Sequence, residues 1–487
     1  MPALAYNNIV LPVDDPTLAK DEQQQMMQRL LADKISGYAG IEELRFLLVS
    51  GAQADGVVTQ GLTPLHYACY RDYFSAAKLL LVRGAKVNAL DEVGYSALHL
   101  CAEQGNYRLI KLLLEYMARV CYVEPKDLQK DFPVRESVDE PLRLAIRRGH
   151  YDCAKLLLEN GADPNARYFD GPEITQISPL DTDFLELLLK FGADPNVYCR
   201  DGLTPLMKAC RHREKGIKAI EVLLNHGADI NAFAMAKQDL RTPLHYAVLS
   251  GCVPLIAYLL ENGADINMPK GYEKPSVLDI AVLKDDPLLV QFLLDAGADP
   301  NAMHGCFGSA LHIACCSEKE NQYEMTKMLL EYGADVNLGG FDQDGRAFKS
   351  PLVEFLRPKD DSFPDPKILG LLLSYGGEIV MRQCQQDHRG QIRNVLPMLE
   401  KCPALGMHLL SSTHPDNVDV VAFERLCQAE NVPQHVTEAI LQFTREPRSL
   451  QQLCRLRLRS LMKPLRPEKV EQLPLPPFQK QYILGYF

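Results

Sequence analysis

Leu156 to Ala166 reads LLLENGADPNA, and this phrase decides the fold because it keeps returning. LLLKFGADPNV starts at Leu187, LLNHGADINA at Leu223, LLENGADINM at Leu259, LLDAGADPNA at Leu293 and LLEYGADVNL at Leu329. Looser copies begin at Leu79 (LLLVRGAKVNA) and Leu47 (LLVSGAQADG). A leucine run followed by glycine describes an apolar helix closed by a residue in the left-handed region, where other side chains are strained. The Asp and Asn after it suit a turn. LLLEYMAR from Leu112 places Met117 where the glycine belongs. A left-handed methionine would cost about 1–2 kcal/mol, and a long insertion follows at once, so a rebuilt turn is expected there.

A second phrase alternates with the first: GLTPLHYAC from Gly61, GLTPLMKAC from Gly202, RTPLHYAV from Arg241, with relaxed forms at Tyr95, Pro141, Ser276 and Ser309. Thr63, Thr204 and Thr242 are placed to cap a helix whose first turn holds proline. The glycines at 192, 227, 263, 297 and 333 stand 35, 36, 34 and 36 residues apart. A period in this range, with a TPLH-like phrase in each copy, resembles the ankyrin repeat. One helix–turn–helix unit cannot bury its own apolar face, so such units stack. About ten copies fit between residues 35 and 378.

Four stretches interrupt the period: 121–140, 167–177, 233–240 and 339–349. Each reads as a loop insertion, a tolerated spacer or a binding feature. Residues 17–32 form a helix with a poor apolar face, in a flanking segment 1–34. Residues 379–447 lack the repeat phrase and read as a helical connector. The fold class is therefore all-α: an ankyrin-repeat solenoid, a helical connector and a C-terminal box over 448–487.

The chain has 487 residues, a net charge of −11, 47% hydrophobic and 24% charged residues. Length exceeds one compact core, and the charge argues against general nucleic-acid binding. No secretory leader or membrane-length apolar run is read. The 14 cysteines form no CxxC pair, and most sit in apolar helical patterns. They read as reduced thiols of a cytosolic or nuclear protein. No phosphate loop, HExxH or GxSxG motif occurs, and DQDG at Asp342 lacks the other ligands of a calcium loop. His66, His99, His245 and His312 share one repeat position, which points to structure and not to a metal. RLAIRRGH from Arg143 reads as a solvated helix face. No cofactor and no catalytic residue is expected.

The last forty residues carry a different message. SLQQLCRLRLRS runs from Ser449 to Ser460 and LPLP from Leu473 to Pro476. Leu450, Cys454 and Leu458 recur at i, i+4 and i+8, and Leu453 and Leu461 widen that face. Arg455, Arg457 and Arg459 fall largely off it. So short a helix needs a partner. The pattern, with Pro477, Phe478, Tyr482 and Ile483 behind it, resembles the box of the suppressor-of-cytokine-signalling (SOCS) type. Together with the repeats, it resembles the ankyrin-repeat and SOCS-box family.

That resemblance implies a non-enzymatic substrate receptor of a ubiquitin ligase. Leu450, Leu453, Cys454 and Leu458 would bind elongin C, as part of the elongin B–elongin C adaptor. Leu473, Pro474, Leu475 and Pro476 would select a cullin, the fifth over the second, together with its RING protein. The array would hold an unidentified target protein on its concave side. The competing reading is an ankyrin scaffold or sequestering inhibitor, uncoupled from ubiquitin, with the box folded back on the connector. Asn337 and Asn267, in L-x5-D-[V/I]-N settings, resemble sites of the factor-inhibiting asparaginyl hydroxylase; a plain turn asparagine is the alternative.

Overall fold

The computed structural model describes residues 20–122, 139–168, 170–269, 272–304, 308–317, 319–341, 347–356, 364–378, 450–462 and 465–484, with the single positions 409, 434 and 438. The proposed connector therefore lies almost wholly outside the described residues, as does DQDG. The chain divides into two compact units, Met1–Ala209 with Lys218–Asp229, and Cys210–Ile217 with Ile230–Phe487.

Ten successive helix pairs make up the array. They begin with α1 (Lys20–Ser36) and α2 (Ile41–Val49), α3 (Pro64–Tyr70) and α4 (Phe74–Val82), and α5 (Ala97–Gln104) and α6 (Tyr107–Glu115). Next come α7 (Pro141–Arg147) and α8 (Tyr151–Glu159), a 3-10 turn at Glu173–Thr175 with α9 (Thr182–Lys190), and α10 (Pro205–Cys210) with α11 (Ile217–Asn225). The last four pairs are α12 (Pro243–Ser250) and α13 (Val253–Glu261), α14 (Val277–Leu283) and α15 (Pro287–Asp295), α16 (Ala310–Cys316) and α17 (Gln322–Glu331), and α18 (Pro351–Phe355) and α19 (Pro366–Ser374). The box follows as α20 (Leu450–Leu461), α21 (Pro467–Glu471) and α22 (Pro477–Leu484).

Within each unit, first helices pack on first helices (α3 on α5, α12 on α14) and second helices on second helices (α4 on α6, α15 on α17). The leucine four residues before each turn glycine is what they bury: Leu157, Leu188, Leu259, Leu293, Leu329 and Leu372 are all fully enclosed. Each contributes about 1.5–3 kcal/mol by leaving water. Helix α1 runs four residues beyond the 17–32 stretch read from sequence. It buries Gln28, Leu31, Ala32 and Ile35 and packs on both α2 and α3, so it serves as the first helix of the first pair.

Two polar devices join neighbouring repeats. The first is the TPLH histidine. Thr63 N–H donates to Nδ1 of His66 at 3.1 Å, and Nε2 of the same ring donates to Tyr95 O of the next repeat at 3.2 Å. His245 does the same between Thr242 N–H and Pro275 O, and His312 between Ser309 N–H and Lys349 O. An acceptor Nδ1 requires the neutral ring. Burial pulls the pKa of His99 down to about 3 and that of His245 to about 4, and lowers His66 and His312.

The second device is the asparagine of the turn. Asn267 Nδ2 donates to Gly297 O at 3.0 Å and its Oδ1 accepts from Asp299 N–H at 2.8 Å. Asn301 and Asn337 repeat the bridge to Gly333 and Gly376, and Asn165 and Asn196 to Gly192 and Gly227. Sequence reading assigned this residue only to its own turn; the structure shows it holding the next one.

Two expectations are corrected. Met117 is not in a rebuilt turn: it adopts φ +64° and accepts Asn88 Nδ2 on its carbonyl, as the glycines do. The basic run at Arg143 is not a solvated face throughout. Arg143 is 3% exposed, 3.1 Å from Asp139 and 3.6 Å from Glu173, with its guanidinium 4.0 Å from the centre of the Tyr168 ring. It occupies the position that histidine holds in other repeats, and the 167–177 insertion supplies Tyr168 and Glu173. That insertion forms a hairpin, Arg167–Tyr168 with Gly171–Pro172, and a second pairs Gly340–Phe341 with Ala347–Phe348. Cys315 is buried and Cys316 exposed, as their helical spacing requires.

Candidate functional site in the C-terminal box

Residues 450–461 contain no glycine or proline, which lets α20 run unbroken. Pro467 and Pro477 open α21 and α22, where a missing N–H costs nothing. The three helices close over a small core of Leu465, Val470, Ile483 and Leu484, flanked by Leu458, Met462, Leu473 and Leu475. A core of this size supplies little stability by itself, so the box depends on what it leans against.

Helix α20 has two unlike faces. Arg455, Leu456 and Arg459 are buried, at 3%, 5% and 2% exposure. Arg459 donates to Ile483 O at 3.0 Å and to Leu373 O of α19 at 2.5 Å. Arg455 lies 5.1 Å over the ring of Tyr482, a favourable place for a desolvated cation. Burial, then the neighbouring Arg455, lowers the Arg459 pKa to about 10, while Glu378 opposes the shift. The guanidinium stays charged at neutral pH. On the opposite side, Cys454, Arg457 and Leu461 are exposed, Leu461 by 66%.

The residues singled out from sequence fall into three groups. Cys454 faces outward; Leu450 and Leu453 lie on the same helix, their side chains outside the described residues. Leu458 is half-buried against the core of the box itself. In the LPLP stretch, Leu473 and Leu475 turn inward to that core while Pro474 and Pro476 are exposed. Asn267 and Asn337 each have both amide atoms committed to the following repeat. Sequence reasoning missed the burial of Arg455 and Arg459. Their i, i+4 spacing, with Arg457 between them on the other face, carried that signal. Among the described residues no group of three or more His, Cys, Asp or Glu could hold a metal, and no helix is long and apolar enough to cross a membrane.

Stacked helix pairs joined by histidine and asparagine bridges, followed by a three-helix box, define an ankyrin-repeat protein with a second, small helical module. The comparisons agree. Ankyrin-repeat models match residues 34–127, 140–168, 178–270 and 278–330, and the SOCS box model matches 446–484. Similar proteins include ankyrin repeat and SOCS box protein 16 of Homo sapiens, 28% identical over 71% of this chain and 73% of its own length. Ankyrin repeat and SOCS box protein 14 of Mus musculus is 29% identical over 52% of this chain and 46% of its own length. Protein 6 of Homo sapiens is 37% identical over 26% and 31%. The chain belongs to the ankyrin-repeat and SOCS-box family. It is accordingly a non-catalytic protein, and its box and repeats are consistent with a substrate adaptor for a cullin–RING ligase.

Proposed function

We propose that the chain couples a target protein, held by the array, to elongin B–elongin C and a cullin of the fifth type with its RING partner. The carrying observation is the two-faced α20: the box is sealed on the Arg455–Arg459 side and presents Cys454 and Leu461 outward. An exposed leucine beside a small cysteine suits close approach of a partner helix. The exposed prolines 474 and 476 would meet the cullin. Exposed apolar loop residues, Leu90 and Val93 in the first unit and Met235 and Leu240 in the second, suit contact with the target. Ubiquitin transfer is then an effect of proximity, in which a bound target raises the local concentration of its lysines near the loaded conjugating enzyme. The reduced thiols suit the cytoplasm or nucleus, where such a ligase would act. Hydroxylation of Asn337 or Asn267 is a separate proposal and requires the repeat to open, because both amides are engaged. Peptide mass spectra lacking an added oxygen at either residue would remove it.

The test uses Cys454→Phe with Leu461→Asp, both on the exposed face. Elongin B–elongin C copurification is expected to fall at least about tenfold, or 1.4 kcal/mol, with the melting temperature unchanged. Unchanged copurification would refute the assignment.

A further inference from the structure

Nine glycines close the second helices of the array at equivalent turns. At Gly51, Gly84, Gly161, Gly192, Gly227, Gly263 and Gly297, nothing stands within 4 Å of the place a Cβ would occupy. The last two differ. The guanidinium of Arg466 lies 2.6 Å from that place at Gly333, and Cβ of Leu465 lies 3.0 Å from it at Gly376. Both come from the stretch between α20 and α21. The box is thus seated on the turns of the final two repeats, inside the second unit.

Arg459 stands at the centre of this seat. It reaches two helix C-termini, one from each side of the joint: Leu373 O near the end of α19 in the array, and Ile483 O and Leu484 O at the end of α22 in the box. Helix ends leave carbonyls without intrahelical partners and carry partial negative charge. A buried cation between two such ends is held by both, and withdrawing either would leave it desolvated and poorly paired. The neighbouring turn is fixed in its own right, since Asn337 binds Gly376 O and Glu378 N–H.

We propose that Arg459 is a positioning residue for ubiquitin transfer. It locks the box onto the last array helix, so that adaptor and array are held at one separation. This rests on the ligase reading above. Adaptor binding uses the opposite face of α20, so loosening the joint should spare capture and alter geometry. A loose joint spreads the array over more orientations and lets the ligase reach more lysines at lower effective concentration.

The experiment reconstitutes the full chain with elongin B–elongin C, cullin, RING protein, activating and conjugating enzymes and ubiquitin. The probe is the receptor itself: its modified lysines are mapped by mass spectrometry. Hydrogen exchange of residues 371–378 is measured in parallel without partners. Arg459→Met is expected to raise exchange there about tenfold and to spread modification over more lysines, with elongin capture within about twofold. Arg459→Lys, which keeps the charge without the fork, should restore part of both. If Arg459→Met loses elongin capture, Arg466→Glu, at the edge of the seat, decides by the same two readouts. Unchanged exchange and an unchanged lysine pattern overturn the proposal. A wild-type chain that ignores elongin defeats the ligase reading instead, and the exchange measurement still judges the joint.

Discussion

Arg143 in the array and Arg459 in the box are both almost fully enclosed, yet their charges are met differently. Arg143 is surrounded by side chains, Asp139 and Glu173 with the Tyr168 ring, from its own repeat and the insertion after it. Arg459 is met by backbone carbonyls at the ends of helices from two modules. The first arrangement closes a local gap in a repeat that lacks its histidine. The second ties the last array helix to the box. Buried charge serves the array as filler and the box as a joint.

The sharpest way to break this contrast is Arg143→Ala. It strips a buried pair of one partner, and a loss of about 3–5 kcal/mol is expected in denaturant unfolding of the array, with elongin capture retained. Loss of capture at unchanged array stability would erase the distinction.

A smaller effect comes from acid. The folded pKa values of His99 and His245 lie below the unfolded value near 6.5. The unfolded chain therefore binds more protons between those limits, and stability present above about pH 6.5 is lost as pH falls. At pH 5, about 2 kcal/mol should disappear for each ring. The melting temperature should drop between pH 7.5 and 5, and His245→Asn should flatten that drop. A pH-independent melt would mean these rings are not held neutral by burial.

The smallest change is a gain. Met117→Gly removes a left-handed side chain that is 81% exposed and should stabilise the first unit by about 1 kcal/mol. Destabilisation by calorimetry would show that the methionine makes a contact there.

Much of the array was legible because its forces repeat. A leucine buried in each second helix and a glycine closing all but one of the clear copies recur with the period, so Leu157, Leu259 and Leu329 announce their roles. What the period does not carry stayed hidden. Arg143 looked solvated because its partner Glu173 comes from an insertion outside the repeat. The asparagine bridges were missed because they join residues about thirty positions apart through backbone atoms, which leave no mark on composition. In the box, the spacing of Leu450, Cys454 and Leu458 was visible. The i, i+4 spacing of Arg455 and Arg459 hinted at a shared face, but what that face meets was hidden, since the acceptor Leu373 O lies 86 residues away.

The most direct test of the whole account is binding between the purified chain and purified elongin B–elongin C, followed by light scattering on a sizing column. A stable one-to-one assembly is predicted, dissolved by Cys454→Phe with Leu461→Asp and retained by Arg143→Ala. A folded wild-type chain that elutes apart from the adaptor would contradict it.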